Sequence, residues 1–177
     1  MSEQKSEKII ITGPSGSGKD FLRKELLKFG LKYSPKFTTR PQREFERKGQ
    51  DYDFIDFNLY QDLYTNGKIK TSQSFIINGV NWYYGITKEN WDNNQLFIMT
   101  PFEIGQLSSE ELKGCFVVYL KIDEQVRYDR ILERHDNNDS ISRRIQADAK
   151  DFENFDKYDL CITDPEFDAD WIYDLMD

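Results

Sequence analysis

Gly13-Pro14-Ser15-Gly16-Ser17-Gly18-Lys19-Asp20 is the stretch that decides the fold. It follows Lys8-Ile9-Ile10-Ile11-Thr12, a β-branched run that reads as a buried strand. It precedes Phe21–Phe29, which reads as a helix with Phe21, Leu22, Glu25, Leu26 and Phe29 on the inner side and Gly30 as its stop. Strand, glycine-rich turn and helix form the context in which G-x-x-x-x-G-K becomes a phosphate-binding loop and not an ordinary turn. Glycines let successive backbone N–H groups point at an anion, and the helix N-terminus adds unpaired donors. Gly13, Ser15, Gly16, Ser17, Gly18, Lys19 and Asp20 are therefore the candidate phosphate-binding set, with Lys19 carrying a full positive charge to the β- and γ-phosphates. Asp20 departs from the usual Ser or Thr, whose hydroxyl ligates Mg²⁺. A carboxylate also binds Mg²⁺, but it repels a triphosphate.

The 177 residues suffice for one domain with a sizeable core, and 15% aromatic content favours a folded chain whose core is partly Tyr and Phe. A net charge of −8 argues against nucleic-acid or anionic-membrane partners, so a phosphate site has to be a local basic patch in an acidic field. Cys115 and Cys161 each sit in an apolar run and read as reduced thiols, which fits a cytoplasmic protein. His135, among Asp and Asn, reads as a solvated loop residue. One His with two distant Cys makes no standard zinc site. No apolar run approaches a membrane span, and Met1–Lys8 lacks a signal-peptide core.

Along the chain, Lys36–Asp53 is polar and carries Lys36, Arg40, Arg43, Arg47 and Lys48. Asp56–Asn66 reads as a short helix with Leu59, Leu63 and Tyr60 inward, stopped by Gly67. Lys68–Gly85 reads as strands joined at Asn78-Gly79, a hairpin signal. Gln95–Met99 is the next strand, Ile104–Leu112 a helix, and Gly114–Ile122 another buried strand. Asp123–Arg134 reads as a helix whose Arg127, Arg130 and Arg134 form a stripe, most simply a solvated basic face. Ser140 caps a following helix with Ile141, Ile145, Ala149 and Phe152 inward. Leu160–Thr163 is a last strand, and a closing helix sets Phe167, Trp171 and Leu175 four apart. Alternating strands and helices predict an α/β fold with a parallel sheet flanked by helices.

These residues together resemble the guanylate kinase family. The phosphate loop is similar to that of the family. Thr38-Thr39-Arg40-Pro41-Gln42-Arg43 resembles its T-T-R-x-P-R segment, and Gly49-Gln50-Asp51-Tyr52-Asp53-Phe54 its G-x-D-Y-x-F. Asn81-Trp82-Tyr83-Tyr84-Gly85 resembles N-Y-Y-G, Arg130–Arg144 the lid and the helix after it, and Tyr158–Asp164 the late Y-D-Y-V-I-x-N-D strand. The matches keep family order from Ile9 to Asp164. The resemblance implies one domain over 1–177, with a P-loop kinase core (8–35 and 87–177), a mixed β nucleotide-monophosphate-binding insertion (36–86) and a mobile lid (134–142).

It also implies ATP and Mg²⁺ as cofactors, nucleotides as the small-molecule partners, and a monomer or homodimer. Lys19, Arg40, Arg134 and Arg144 become the catalytic set, and Lys36, Arg40, Arg43, Tyr52, Thr71 and Tyr84 the substrate-binding set. Departures cluster where the family reads guanine: Thr71 stands in place of a glutamate, Lys36 of a serine and Ile86 of a hydroxyl residue. Guanine donors left unpaired there cost about 1–3 kcal/mol each. An acid at the end of the central strand is replaced near Thr100, so Asp20 and Thr100 are the metal candidates, a carboxylate and a hydroxyl that have exchanged places. The leading expectation is a nucleoside-monophosphate kinase acting on GMP, dGMP or an altered base. The alternatives are a catalytically inactive module that binds a phosphopeptide or another phosphorylated partner, and a P-loop phosphotransferase of another small metabolite.

Overall fold

The computed structural model describes residues 7–133 and 141–176. In chain order, β1 (Lys8–Thr12) and α1 (Lys19–Leu27) lead into β2 (Lys36–Thr38), β3 (Tyr52–Phe54), α2 (Phe57–Thr65), β4 (Ile69–Ile77), β5 (Val80–Thr87) and α3 (Lys88–Asn93). The chain continues through β6 (Leu96–Ile98), α4 (Pro101–Ile104), α5 (Ser109–Lys113), β7 (Cys115–Leu120), α6 (Glu124–Glu133), α7 (Ile141–Phe152), β8 (Leu160–Ile162) and α8 (Ala169–Asp174). It divides into two compact units, one made of the chain up to Leu31 and from Leu96 onward, the other of Lys32–Gln95.

The first unit is an α/β core around a parallel sheet in the order β6-β1-β7-β8. Its inner strands are apolar on both faces, as a sheet covered by helices on each side requires. Ile9, Ile10 and Ile11 of β1 and Val117, Val118 and Leu120 of β7 are all buried. The second unit is a mixed sheet in the order β3-β2-β5-β4, with β2 and β3 parallel and the other pairs antiparallel. Asn78 and Gly79 both have positive φ (52° and 76°), the turn that suits a two-residue hairpin between β4 and β5. The Gln95 N–H donates to the Lys32 carbonyl at 2.9 Å and ties the unit's two ends together.

Several helix faces differ from the sequence expectation. In α1 the buried residues are Leu22, Arg23 and Leu26, while Phe21 is 53% exposed. Phe21 instead meets Phe167 edge-on at 5.7 Å, and Phe29 stacks on Tyr173 at 4.0 Å. The aromatic flanks of α1 therefore serve the C-terminal segment, and only a narrow stripe is left to cover the sheet. In α8 the buried residues are Ala169 and Ile172, and Met176 just beyond its end is buried too, whereas Trp171 and the C-cap Leu175 are exposed. The helix begins only after Asp168, which caps it, so Phe167 lies outside its periodicity. In α2 it is Tyr60 that is buried, stacked on Tyr83 at 4.2 Å, while Leu59 is exposed.

The expected helix over Ile104–Leu112 is two short ones. Thr100 and Ser108 each open a capping box, with Glu103 and Glu111 as the returning side chains, and the chain starts afresh at the second. In α7, Ile145 is buried but Ala149 is exposed. Ser140 and His135 lie outside the described residues. Cys115 and Cys161 are both free thiols. Among the described residues no helix is long and apolar enough to cross a membrane.

Ile10 lies in β1, hydrogen-bonded on both sides, and is fully buried. Ile10→Ala is expected to destabilise the first unit by about 2–5 kcal/mol. Ile76→Ala, at an exposed position near the hairpin tip, is expected to stay within about 0.5 kcal/mol of the parent. Urea unfolding curves of the two variants check this.

Candidate active site

In the first unit β1 delivers the glycine-rich loop and α1 carries it away. Gly18 is the N-cap of α1, and Lys19 is its first residue. Gly16 has φ +77°, and a Cβ there would sit 2.7 Å from the Arg127 carbonyl oxygen, so the loop packs directly on the backbone of α6. α6 also holds the loop through side chains. Arg127, itself buried, donates from Nη1 to the Ser15 carbonyl at 3.3 Å and from Nε to the Ile122 carbonyl at 3.1 Å. Arg130 donates to the Gly16 carbonyl at 3.3 Å and to the Pro165 carbonyl at 2.9 Å. The expected solvated arginine stripe is therefore a brace for the loop. Its third member, Arg134, lies outside the described residues together with most of the expected lid.

The loop's own polar groups are engaged as follows. Lys19 Nζ donates to the Gly13 and Pro14 carbonyls at 2.6 and 2.9 Å, which keeps its charge at the loop. The Ser17 hydroxyl is fully buried and has no hydrogen-bond partner among the described residues. Such an orphaned donor is what a phosphate oxygen would satisfy. The Ser15 N–H donates to a carboxylate oxygen of Asp148, from α7, at 2.8 Å. Asp20 is exposed in the first turn of α1, 3.4 Å from Arg23. Thr100 accepts the Glu103 N–H at 3.2 Å in the cap of α4, so its hydroxyl already has a structural task. Arg144 lies on α7, one helical turn before Asp148.

In the second unit a cationic cluster is built on β2 and the loop after it. Arg40 is only 7% exposed. Its guanidinium makes a two-pronged contact with the Glu46 carboxylate, one bond of 2.7 Å and a second to the other oxygen. Glu46 also accepts the Arg43 N–H at 2.9 Å. The guanidinium lies over the Tyr52 ring at 5.0 Å, and Tyr52 meets Tyr84 edge-on at 5.9 Å. Burial opposes the charge on Arg40, but the hydrogen bond and charge of Glu46 outweigh it and hold the guanidinium protonated above its ordinary range. Burial likewise works against ionised Glu46, and the hydrogen bonds from Arg40 and the Arg43 N–H overcome it, leaving that carboxyl below its ordinary value of 4.5.

Of the set Arg40, Arg43, Tyr52 and Tyr84, the Arg40 guanidinium lies on the Tyr52 ring, Tyr52 meets Tyr84, and Arg43 joins through its backbone N–H to Glu46. Glu46, the anion shared by Arg40 and that N–H, is a residue that sequence reasoning missed. An acid inside a basic segment, six residues after Arg40, was the available signal. Thr71 is fully buried on β4 with its hydroxyl unpartnered among the described residues. Gln73 stands on the same face of β4, paired across with Tyr84. Lys36 opens β2 and is half-buried.

The guanylate kinase family model matches residues 5–94. A guanylate kinase from Nostoc sp. is 31% identical over 170 residues, spanning 91% of this chain and 83% of the relative. The chain belongs to the guanylate kinase family. The guanylate kinase of Streptococcus pyogenes is 28% identical over 89% of this chain and 78% of its own length. The crystal structure of guanylate kinase from Anaplasma phagocytophilum superposes with a TM-score of 0.70 over 98% of this chain and 86% of that one, at 20% identity. That structure shares the α/β fold, with a parallel sheet flanked by helices. As a guanylate kinase family member the chain is a phosphotransferase of the nucleoside-monophosphate kinase class. These named relatives are all kinases, which gives the non-catalytic alternative no support.

The depressed Glu46 carboxyl fixes the sign of a pH effect. The pair's contribution to stability is complete above the ordinary value of 4.5 and is lost as pH falls through the lower folded value. Glu46→Gln is expected to destabilise the second unit by roughly 1.5–3 kcal/mol at pH 7 and to flatten the acid limb of the stability curve. Urea midpoints measured from pH 7 down to about pH 3 check both outcomes.

Proposed function

We propose that this guanylate kinase family member transfers the γ-phosphoryl group of ATP to the phosphate of GMP or dGMP. The observation that carries the reading is the Arg40 cluster, in which a buried guanidinium and the Arg43 N–H already grip a planar anion. Carboxylate oxygens stand there in the way phosphate oxygens would. In this reading Arg40, Arg43, Tyr52 and Tyr84 hold the acceptor phosphate, and Lys36 adds positive charge. Thr71 and Gln73, on one face of β4, supply a hydroxyl and an amide for the base. The guanine-reading carboxylate of the family is thus replaced by neutral groups, and discrimination among bases is weaker than a buried ionic acceptor would give.

On the donor side, Gly13, Ser15, Gly16, Ser17, Gly18 and Lys19 form the cradle for the ATP phosphates. The orphaned Ser17 hydroxyl and the held Lys19 fit that ligand. Arg134 and Arg144 would reach the ATP phosphates and the transferring group from the lid side. Phosphoryl transfer asks little beyond in-line positioning and spread-out positive charge, so no side-chain base is required for an acceptor that is already anionic. Mg²⁺ would supply neutralising positive charge at the donor phosphates. Asp20, exposed in the first turn of α1, would hold it directly or through water, with Thr100 as helper.

Incubation with ATP and Mg²⁺ against a panel of ribo- and deoxynucleoside monophosphates tests the reading. GMP or dGMP is expected to be the best acceptor, with Arg40→Ala losing about 10–200-fold in kcat/KM, the equivalent of 1.5–3 kcal/mol. Turnover of none of the panel, or a clear preference for a pyrimidine monophosphate, would overturn it.

A further inference from the structure

One contact of the loop is left over by the reading above. The Ser15 N–H donates at 2.8 Å to Asp148 Oδ2, a residue 133 positions away on α7. The same oxygen lies 4.0 Å from Arg127 Nη1, the group that also holds the Ser15 carbonyl. The Asp148 side chain is largely shielded, at 19% exposure. A backbone amide of the phosphate loop and a guanidinium beside it are thus both turned to one internal carboxylate oxygen. Two acceptors cannot share that amide at full strength, and a carboxylate left beside a polyphosphate repels it.

We propose that Asp148 sets the affinity of the loop for the donor nucleotide: its carboxylate occupies the Ser15 amide as an internal substitute for a phosphate oxygen, and the nucleotide has to displace it. The residue is a positioning residue, acting through the loop amide and not on the reacting atoms. The reading rests on the loop being the donor site. Its charge is the decisive property. A merely structural strut at Ser15 needs only an acceptor oxygen, which an asparagine also offers. A charged competitor does not survive that replacement.

Asp148→Asn therefore separates the two roles. Inorganic tripolyphosphate binding by calorimetry, and KM for ATP against KM for GMP, are measured on the full chain for wild type, Asp148→Asn and Lys19→Ala. With Asp148 as competitor, Asp148→Asn binds tripolyphosphate roughly three- to thirtyfold more tightly, since removing one like charge near the site is worth that much. KM for ATP falls in step, and KM for GMP stays within about twofold. Unchanged or weaker tripolyphosphate binding in Asp148→Asn overturns the proposal while leaving the donor site standing. Tripolyphosphate binding that is absent in wild type, or indifferent to Lys19→Ala, overturns the donor-site reading and this proposal with it. A wild-type measurement does not depend on the variant folding. The trans-hydrogen-bond NMR coupling from the Ser15 amide nitrogen to the Asp148 carboxyl carbon is expected in the free protein and lost on saturation with tripolyphosphate. Its persistence at saturation contradicts displacement.

Discussion

A buried guanidinium demands an anion at all times, and that demand organises the second unit. Arg40 is nearly inaccessible, and a charge taken out of water without a partner costs several kcal/mol. Glu46 meets the demand, with Tyr52 and Phe54 rings closing around the cation at 5.0 and 5.7 Å. The loop after β2 is consequently held in shape by the ion pair that a phosphate would enter. Under the proposed function the acceptor would meet a loop already held in shape and would not have to order it.

The first unit solves the complementary problem, a loop rich in backbone donors that has to stay open for a ligand. The loop's carbonyls are taken from behind by Arg127, Arg130 and Lys19. These bonds fix the peptide planes and bring three positive charges to a chain of net charge −8. The fit is close enough that Gly16 admits no side chain. A helix that reads as a solvated face thus becomes the rear wall of the phosphate loop. Under the proposed function this wall would preorganise the loop, with donors and charges held before any substrate arrives.

What the sequence made legible was local in origin. The glycine loop, the β1 and β7 strands and the Asn78-Gly79 hairpin each carry their signal within a few residues, and each lies where it was read. The faces of α1 and α8 were misread because periodicity finds a stripe but not its neighbours. Phe21 and Phe29 pack on the C-terminal segment, not on the sheet. Arg127 was misread for the same reason, since its partner Ser15 is 112 residues away. The grouping of Arg40 with Tyr52 and Tyr84 was legible from their order in the sequence. Glu46 was not, because an acid in a polar loop looks like a solvated one until the arginine it neutralises is seen to be buried.

The acceptor cluster is the centre of this picture, and a crystal structure of the protein with GMP alone tests it most directly. The expected result places GMP phosphate oxygens on the Arg40 guanidinium and the tyrosine hydroxyls of Tyr52 and Tyr84, taking over at least one of the bonds that Arg40 makes to Glu46 in the free protein. GMP bound elsewhere, with both Arg40–Glu46 bonds intact and no phosphate at the cluster, would contradict it.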